Sequence, residues 1–139
     1  MIAAATPVFV DTGAWIALAE QRDPLHPRAR AQWEALARGG ARLRTSVPVV
    51  IETFTFLERK GSPALARRWQ QSLAAIRWFE ILDCQASDLS AAFRLLDGSS
   101  LHGLSLVDAT SFVLMRKHRI RVGFAFDTHF TAAGFRVVG

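Results

Sequence analysis

Tyrosine is absent from these 139 residues, cysteine occurs once and lysine twice. A single cysteine, Cys84, cannot close an internal disulfide, and no Cys/His cluster has zinc spacing. The chain therefore needs no oxidising compartment. No long hydrophobic run is present either. The opening MIAAATPVFVD is apolar but has no basic stretch before it. Pro7 and Asp11 interrupt it too early for a signal peptide or a membrane span. A cytosolic protein with no membrane partner is expected. No repeat and no Gly/Ser/Pro-rich linker divides the sequence, so one domain over residues 1–139 is expected. Half the residues are apolar and 21% are charged, a globular rather than a disordered composition.

Acid is the scarcer charge: 12 Asp and Glu face 17 Lys and Arg, a formal +5. Nearly all the bases are arginine, whose guanidinium fork matches phosphate oxygens. Genome composition produces the same bias, so the charge alone only hints at an anionic partner.

Short strands alternate with helices along the chain. Val8–Phe9–Val10 is a β-branched and aromatic run ending at Asp11. A helix is expected from Gly13 through AWIALAEQ. Asp23-Pro24 has the form of an N-cap followed by proline, opening a helix through Ala29, Trp33 and Leu36 to Gly39-Gly40. Arg42–Thr45 is a candidate strand. Ser46 is placed to cap a helix running to Gly61, and Ser62-Pro63 to open another reaching about Arg77. Trp78–Leu82 is a strand. Ser87 or Asp88 caps a helix closed by Gly98, and Ser105 one ending near His118. Val122–Phe126 is a strand ending at Asp127. A short turn, His129–Ala133, leads to a last strand at Phe135–Val138. Strands separated by helical crossovers pair in parallel, which predicts a three-layer α/β fold. In such sheets the ligand site lies beyond the carboxyl ends of the strands.

Four acids stand where acids are costly. Asp11 and Asp127 each follow an apolar strand. Glu52 is embedded in VPVVIETFTF and Asp108 in LSLVDATSFVLM. Burying a carboxylate without a partner is unfavourable. The two strand-end acids share an edge of the sheet, and the two helical acids lie in early turns facing that edge. All four can converge. Clustered carboxylates cannot all stay ionised without a cation, and a hard divalent ion, Mg²⁺ or Mn²⁺, suits oxygen ligands. Such a site supports phosphodiester hydrolysis. Simpler roles exist for each: Asp108 forms an S-x-x-D capping box with Ser105, Asp11 and Asp127 suit turn caps, and Glu52 suits a solvated helix face. The remaining acids suit caps and surface positions, and the four tryptophans suit packing. His129 lies near the site by its distance from Asp127, with packing behind the acids as its first role. His26 and His118 suit the surface. No cysteine nucleophile is available, and no Gly-rich phosphate loop occurs.

The ordered segments VFVDTGAWIAL, SVPVVIETFTFL, LSLVDATSFVLM and GFAFDTHFTAAGF resemble the PIN domain, in particular the toxin nucleases of bacterial VapBC toxin–antitoxin pairs. The resemblance spans essentially the whole chain. It implies a PIN-like fold with a parallel sheet of about five strands flanked by helices. It implies an Mg²⁺- or Mn²⁺-dependent endoribonuclease, with Asp11, Glu52, Asp108 and Asp127 as catalytic and metal-binding quartet. It further implies an RNA substrate, a homodimer and a cognate VapB-type antitoxin whose C-terminal segment occupies a groove. Thr12 matches a position where a small hydroxyl residue often supports the acids. Ala125 departs from the family's frequent Thr or Ser two residues before the last Asp.

Three other readings compete: a PIN nuclease of RNA processing without an antitoxin, a phosphoacceptor module, and a metal-free RNA-binding domain. A phosphoacceptor needs a paired early acid and a late lysine, and neither is present. A haloacid-dehalogenase-like phosphatase needs an acid where Gly13 stands. The intact quartet argues against a dead nuclease fold.

Overall fold

A parallel five-stranded sheet organises the computed structural model, which describes residues 2–138. The strands are β1 (Pro7–Val10), β2 (Arg42–Ser46), β3 (Phe79–Leu82), β4 (Val122–Phe124) and β5 (Arg136–Val137). Their order across the sheet is β3-β2-β1-β4-β5. The helices are α1 (Thr12–Ala19), α2 (His26–Arg38), α3 (Val47–Phe56), α4 (Pro63–Ser72), α5 (Ala86–Gly98), α6 (Leu106–Lys117) and α7 (His129–Ala132). The expected three-layer α/β arrangement is the one observed.

The topology locates the functional edge. From β1 the chain progresses to β2 and then β3 on one side. From β3 it crosses back to β4 and continues outward to β5. Right-handed crossovers then place α1–α4 on one face and α5–α7 on the other. Strand order reverses between β1 and β4, so the crevice lies at their carboxyl ends. Asp11 and Asp127 stand just there.

Each face has its own aromatic core. Trp15 packs at 5.6 Å from Trp33 and 5.7 Å from Trp69 on one face. On the other, Phe112 lies 5.0 Å from Phe130 and 5.5 Å from Phe135. Val8, Phe9 and Val10 between them are fully buried, as a central parallel strand requires. Trp78 alone of the tryptophans is mostly exposed, at 65%.

Several boundaries differ from the sequence expectation. Helix α2 begins at His26, with Pro27 in its first turn, because the Asp23 carboxylate accepts the Leu25 amide at 2.8 Å and forms a turn instead of a cap. His26 is no free surface side chain: its ring Nδ1 donates to the Ala17 carbonyl at 2.7 Å and ties α2 to α1. Helix α3 loosens after Phe56 into a wide π-type turn over Leu57–Gly61. Helix α4 ends at Ser72 and tightens into a 3₁₀ turn over Leu73–Ala75. Helix α5 is capped by Gln85, not by Ser87 or Asp88. Strand β4 stops at Phe124, before Asp127. The caps at Ser46, Ser62 and Ser105 fall where the sequence placed them, each hydroxyl accepting an amide three residues on.

Candidate active site

Asp11 is held from three sides. Its amide donates to the Phe124 carbonyl at 3.0 Å, which extends the β1–β4 pairing by one residue. The Thr45 hydroxyl donates to the preceding Val10 carbonyl at 2.9 Å, and the Trp15 indole donates to that hydroxyl at 3.1 Å. The backbone around the carboxylate is therefore fixed by β4, β2 and α1 together. Asp11 stands at the N-cap of α1, yet its side chain makes no capping hydrogen bond. The residue is 3% exposed and its Oδ1 has no partner. Burial, then the negative charge of Asp108 and of Asp127, and more weakly that of Glu52, push its pKa up to about 8, and the Thr12 amide offsets part of the rise. A turn-capping role alone does not account for this residue.

Asp108 takes both of its expected roles. The Ser105 hydroxyl accepts the Asp108 amide at 3.0 Å, and Asp108 Oδ2 accepts the Ser105 amide at 3.3 Å. The capping box fixes the carboxylate at the start of α6, and its apolar neighbours bury it. Burial raises its pKa, the Ser105 amide counters that, and Asp127 raises it further.

Asp127 Oδ1 accepts the His129 amide at 2.9 Å, an Asx turn that opens α7. What sets α7 at this point is Gly123. A Cβ there would lie 2.9 Å from the Phe130 ring, so only glycine lets α7 press against β4. The same contact delivers His129. Its Nε2 lies 2.8 Å from the His102 carbonyl, its Nδ1 3.3 Å from Asp108 Oδ2 and 4.0 Å from Asp127 Oδ1. The His102 carbonyl first, then the Asp127 and Asp108 carboxylates, raise the His129 pKa against the effect of burial.

Asp108, Asp127 and His129 each offer a ligand atom within 4.8 Å of the others. Asp11 joins them electrostatically. Glu52, half-buried on α3, acts on Asp11 the most weakly of the three other acids, and Asp127 is the most exposed of the four. Thr12 is buried with its hydroxyl unpartnered. Phe56, one turn after Glu52 on α3, is exposed. The sequence reading gave no role to His102. Its carbonyl is presented by a turn in which Gly103 has φ +72°, so the Gly after His102 was the one available signal.

The donor set suits a divalent cation. Oxygen atoms dominate it, and a buried carboxylate with an unpartnered oxygen among like charges is a group a cation would relieve.

A groove of about 1170 Å³ opens towards the other end of the sheet. Its lining includes Trp15, Trp33, Trp69 and Trp78, with Arg22 and Arg68 among its bases.

Comparison with known proteins agrees with this fold. The family model of the PIN domain matches residues 8–136. The chain is 37% identical over 131 residues to the 23S rRNA-specific endonuclease VapC20 of Mycobacterium tuberculosis, covering 92% of this chain and 95% of that protein. The crystal structure of that VapC20, described as a sarcin-ricin loop cleaving toxin, superposes with a TM-score of 0.82 at 33% identity, over 92% of this chain and 95% of the other. VapBC2 from Rickettsia felis, bound to a DNA fragment from its promoter, matches with a TM-score of 0.64 at 12% identity and shares the fold.

Proposed function

The chain belongs to the PIN-domain family, and from that premise we propose that it is a metal-dependent endoribonuclease, the toxin of a type II toxin–antitoxin pair. The observation that carries the reading is Asp11, a carboxylate 3% exposed, with an unpartnered oxygen, coupled to Asp108 and Asp127. The substrate class follows the 37% identical relative, named for cutting 23S rRNA. The basic balance of the chain suits the same partner.

Asp11, Glu52, Asp108 and Asp127 would hold Mg²⁺ or Mn²⁺. When bound, the cation supplies Lewis acidity at a phosphodiester and balances the clustered carboxylates. The protein's own contribution is placement. The β1–β4 pairing holds Asp11, the Ser105 box holds Asp108, and the His129 amide holds Asp127. Asp11 Oδ1 has no protein donor to satisfy. That oxygen is left for the cation, and the four acids together would position the attacking water beside the scissile phosphate. Thr45 steadies that strand end through its hydrogen bond to the Val10 carbonyl.

The same reading covers the partners. Residues 1–139 act as one nuclease domain in the cytoplasm. Among the described residues no helix is long and apolar enough to cross a membrane. A homodimer would cover exposed apolar side chains such as Ile51 and Phe93. The tryptophan-floored groove, larger than most small-molecule sites, suits the C-terminal segment of a VapB-type antitoxin. Asp11→Asn and Asp108→Asn are each expected to abolish Mn²⁺-dependent RNA cleavage while the circular dichroism spectrum stays native. Undiminished cleavage by either purified variant overturns the site. Expression of the wild type alone is expected to slow host growth, and co-expression of the cognate antitoxin to restore it.

A further inference from the structure

His129 presents an asymmetric ring. A backbone carbonyl can only accept, so the contact from Nε2 to the His102 carbonyl at 2.8 Å puts a hydrogen on Nε2. The other nitrogen, Nδ1, is buried and makes no hydrogen bond of acceptable geometry. It faces Asp108 Oδ2 at 3.3 Å and Asp127 Oδ1 at 4.0 Å. A lone pair held against two carboxylates is repulsive unless something positive lies between them. The second nitrogen of a metal-bound histidine typically donates to a carbonyl or carboxylate, which fixes tautomer and aim. His129 has that arrangement already built.

We infer that His129 Nδ1 is a fifth ligand of the acidic centre, making it a mixed nitrogen–oxygen site that favours a transition ion over Mg²⁺. This rests on the nuclease reading of the same acids, and adds to it a residue and a metal preference. Two features of the fold serve the ligand. Gly123 admits Phe130 against β4 and so fixes α7, on which His129 is the first residue. Gly103, at φ +72°, turns the preceding carbonyl toward the ring, and a Cβ there would stand 4.0 Å from the ring's Cε1. Asp11 supplies the independent sign that the centre is built for a cation, being almost fully buried with an unpartnered oxygen. Imidazole nitrogen is a softer donor than carboxylate oxygen. Its presence raises affinity for first-row transition ions more than for Mg²⁺.

The experiment uses the whole protein, stripped of metal and titrated with Mn²⁺. Pulsed electron paramagnetic resonance of the bound Mn²⁺ is expected to show hyperfine coupling to a histidine nitrogen, and the coupling to change when the protein carries ¹⁵N-histidine. That measurement needs no variant. In His129→Gln, whose longer amide still reaches the His102 carbonyl, the coupling is expected to disappear. Mn²⁺ affinity should fall about tenfold or more while Mg²⁺ affinity changes little. Bound Mn²⁺ without nitrogen coupling in the wild type overturns the ligand and leaves the acidic site standing, with the ring then holding a proton between the carboxylates. Coupling that persists in His129→Gln overturns it as well. Absence of any Mn²⁺ binding by the wild type overturns this inference and the nuclease reading together.

Discussion

A single carboxylate, Asp11, costs the metal-free protein stability, and the cost depends on pH in a definite direction. Burial and the neighbouring acids raise its pKa from 3.8 to about 8. In the folded protein the group therefore stays protonated between those two values, while the unfolded chain has already released its proton. The unfolded state binds fewer protons over that window, so stability is full below pH 4 and declines as pH rises toward 8. Asp11→Asn keeps the shape and removes the ionisation. In the presence of EDTA the variant is expected to melt above the wild type at pH 8, by on the order of 1–4 kcal/mol, and to converge with it near pH 4. Divalent cation should reverse the order by stabilising the wild type alone. Thermal melts at the two pH values check this, and a gap that ignores pH would assign the difference to packing instead. His26 and His129 carry a related lesson. Neither partner, the Ala17 carbonyl for one and the His102 carbonyl for the other, follows from local spacing. Both histidines are positioned by long-range contacts that a sequence pattern does not contain.

Elements were legible where one residue type and its fixed offset decide them. Ser46, Ser62 and Ser105 each cap at the distance that the hydroxyl and the third amide require. The run Val8–Val10 is a central strand because both its faces are covered. Legibility failed where two local signals competed. Asp23 and Pro24 promised a helix start, but the carboxylate captured the Leu25 amide and made a turn. Asp88 looked like a cap and is instead the acid three residues inside one: it accepts the Gln85 amide at 2.9 Å and pairs with Lys117 across to α6. The helix through Glu52 was expected to reach Gly61 unbroken. It widens after Phe56, and a Cβ at Gly61 would stand 2.6 Å from the tip of Leu65, which would have to move aside. For the acids, the sequence indicated convergence, but not their grading, with Asp11 deepest and Asp127 most exposed. That grading follows from Asp11 lying at the end of the central strand and Asp127 in the turn beyond β4. The Ser105 box links element to site directly. Ser105→Ala is expected to lower stability by about 1 kcal/mol in urea melts and to slow cleavage by loosening Asp108, whereas Ser105→Thr should keep both. Unchanged cleavage in the alanine variant would separate the cap from the chemistry.

At the scale of the whole molecule, the scarcity of acid acquires a spatial meaning. Four of the 12 acids lie at the carboxyl edge of the sheet, so the remaining surface is more basic than the formal +5 suggests. A polyanion approaching that surface displaces counterions, and its affinity falls with salt in proportion to the phosphates engaged. One base is placed at the acidic edge itself. Arg28, exposed on α2, stacks 5.4 Å from the centre of the Phe126 ring, and Phe126 immediately precedes Asp127. The stacking holds a guanidinium beside the carboxylates with its hydrogen-bond donors still available. A scissile strand entering the site would meet this cation with a phosphate flanking the cleaved one. Binding of uncleaved RNA to the Asp11→Asn protein is therefore expected to weaken with salt. Three or four single-strand phosphate contacts give a loss of about 10–100-fold between 50 and 200 mM. Adding Arg28→Ala should weaken binding to all RNAs alike and flatten the log–log salt slope by about 0.7, the share of one single-strand phosphate contact. A slope that stays the same while affinity falls would mean that Arg28 acts by packing on Phe126, and the phosphate path would then have to run along other arginines.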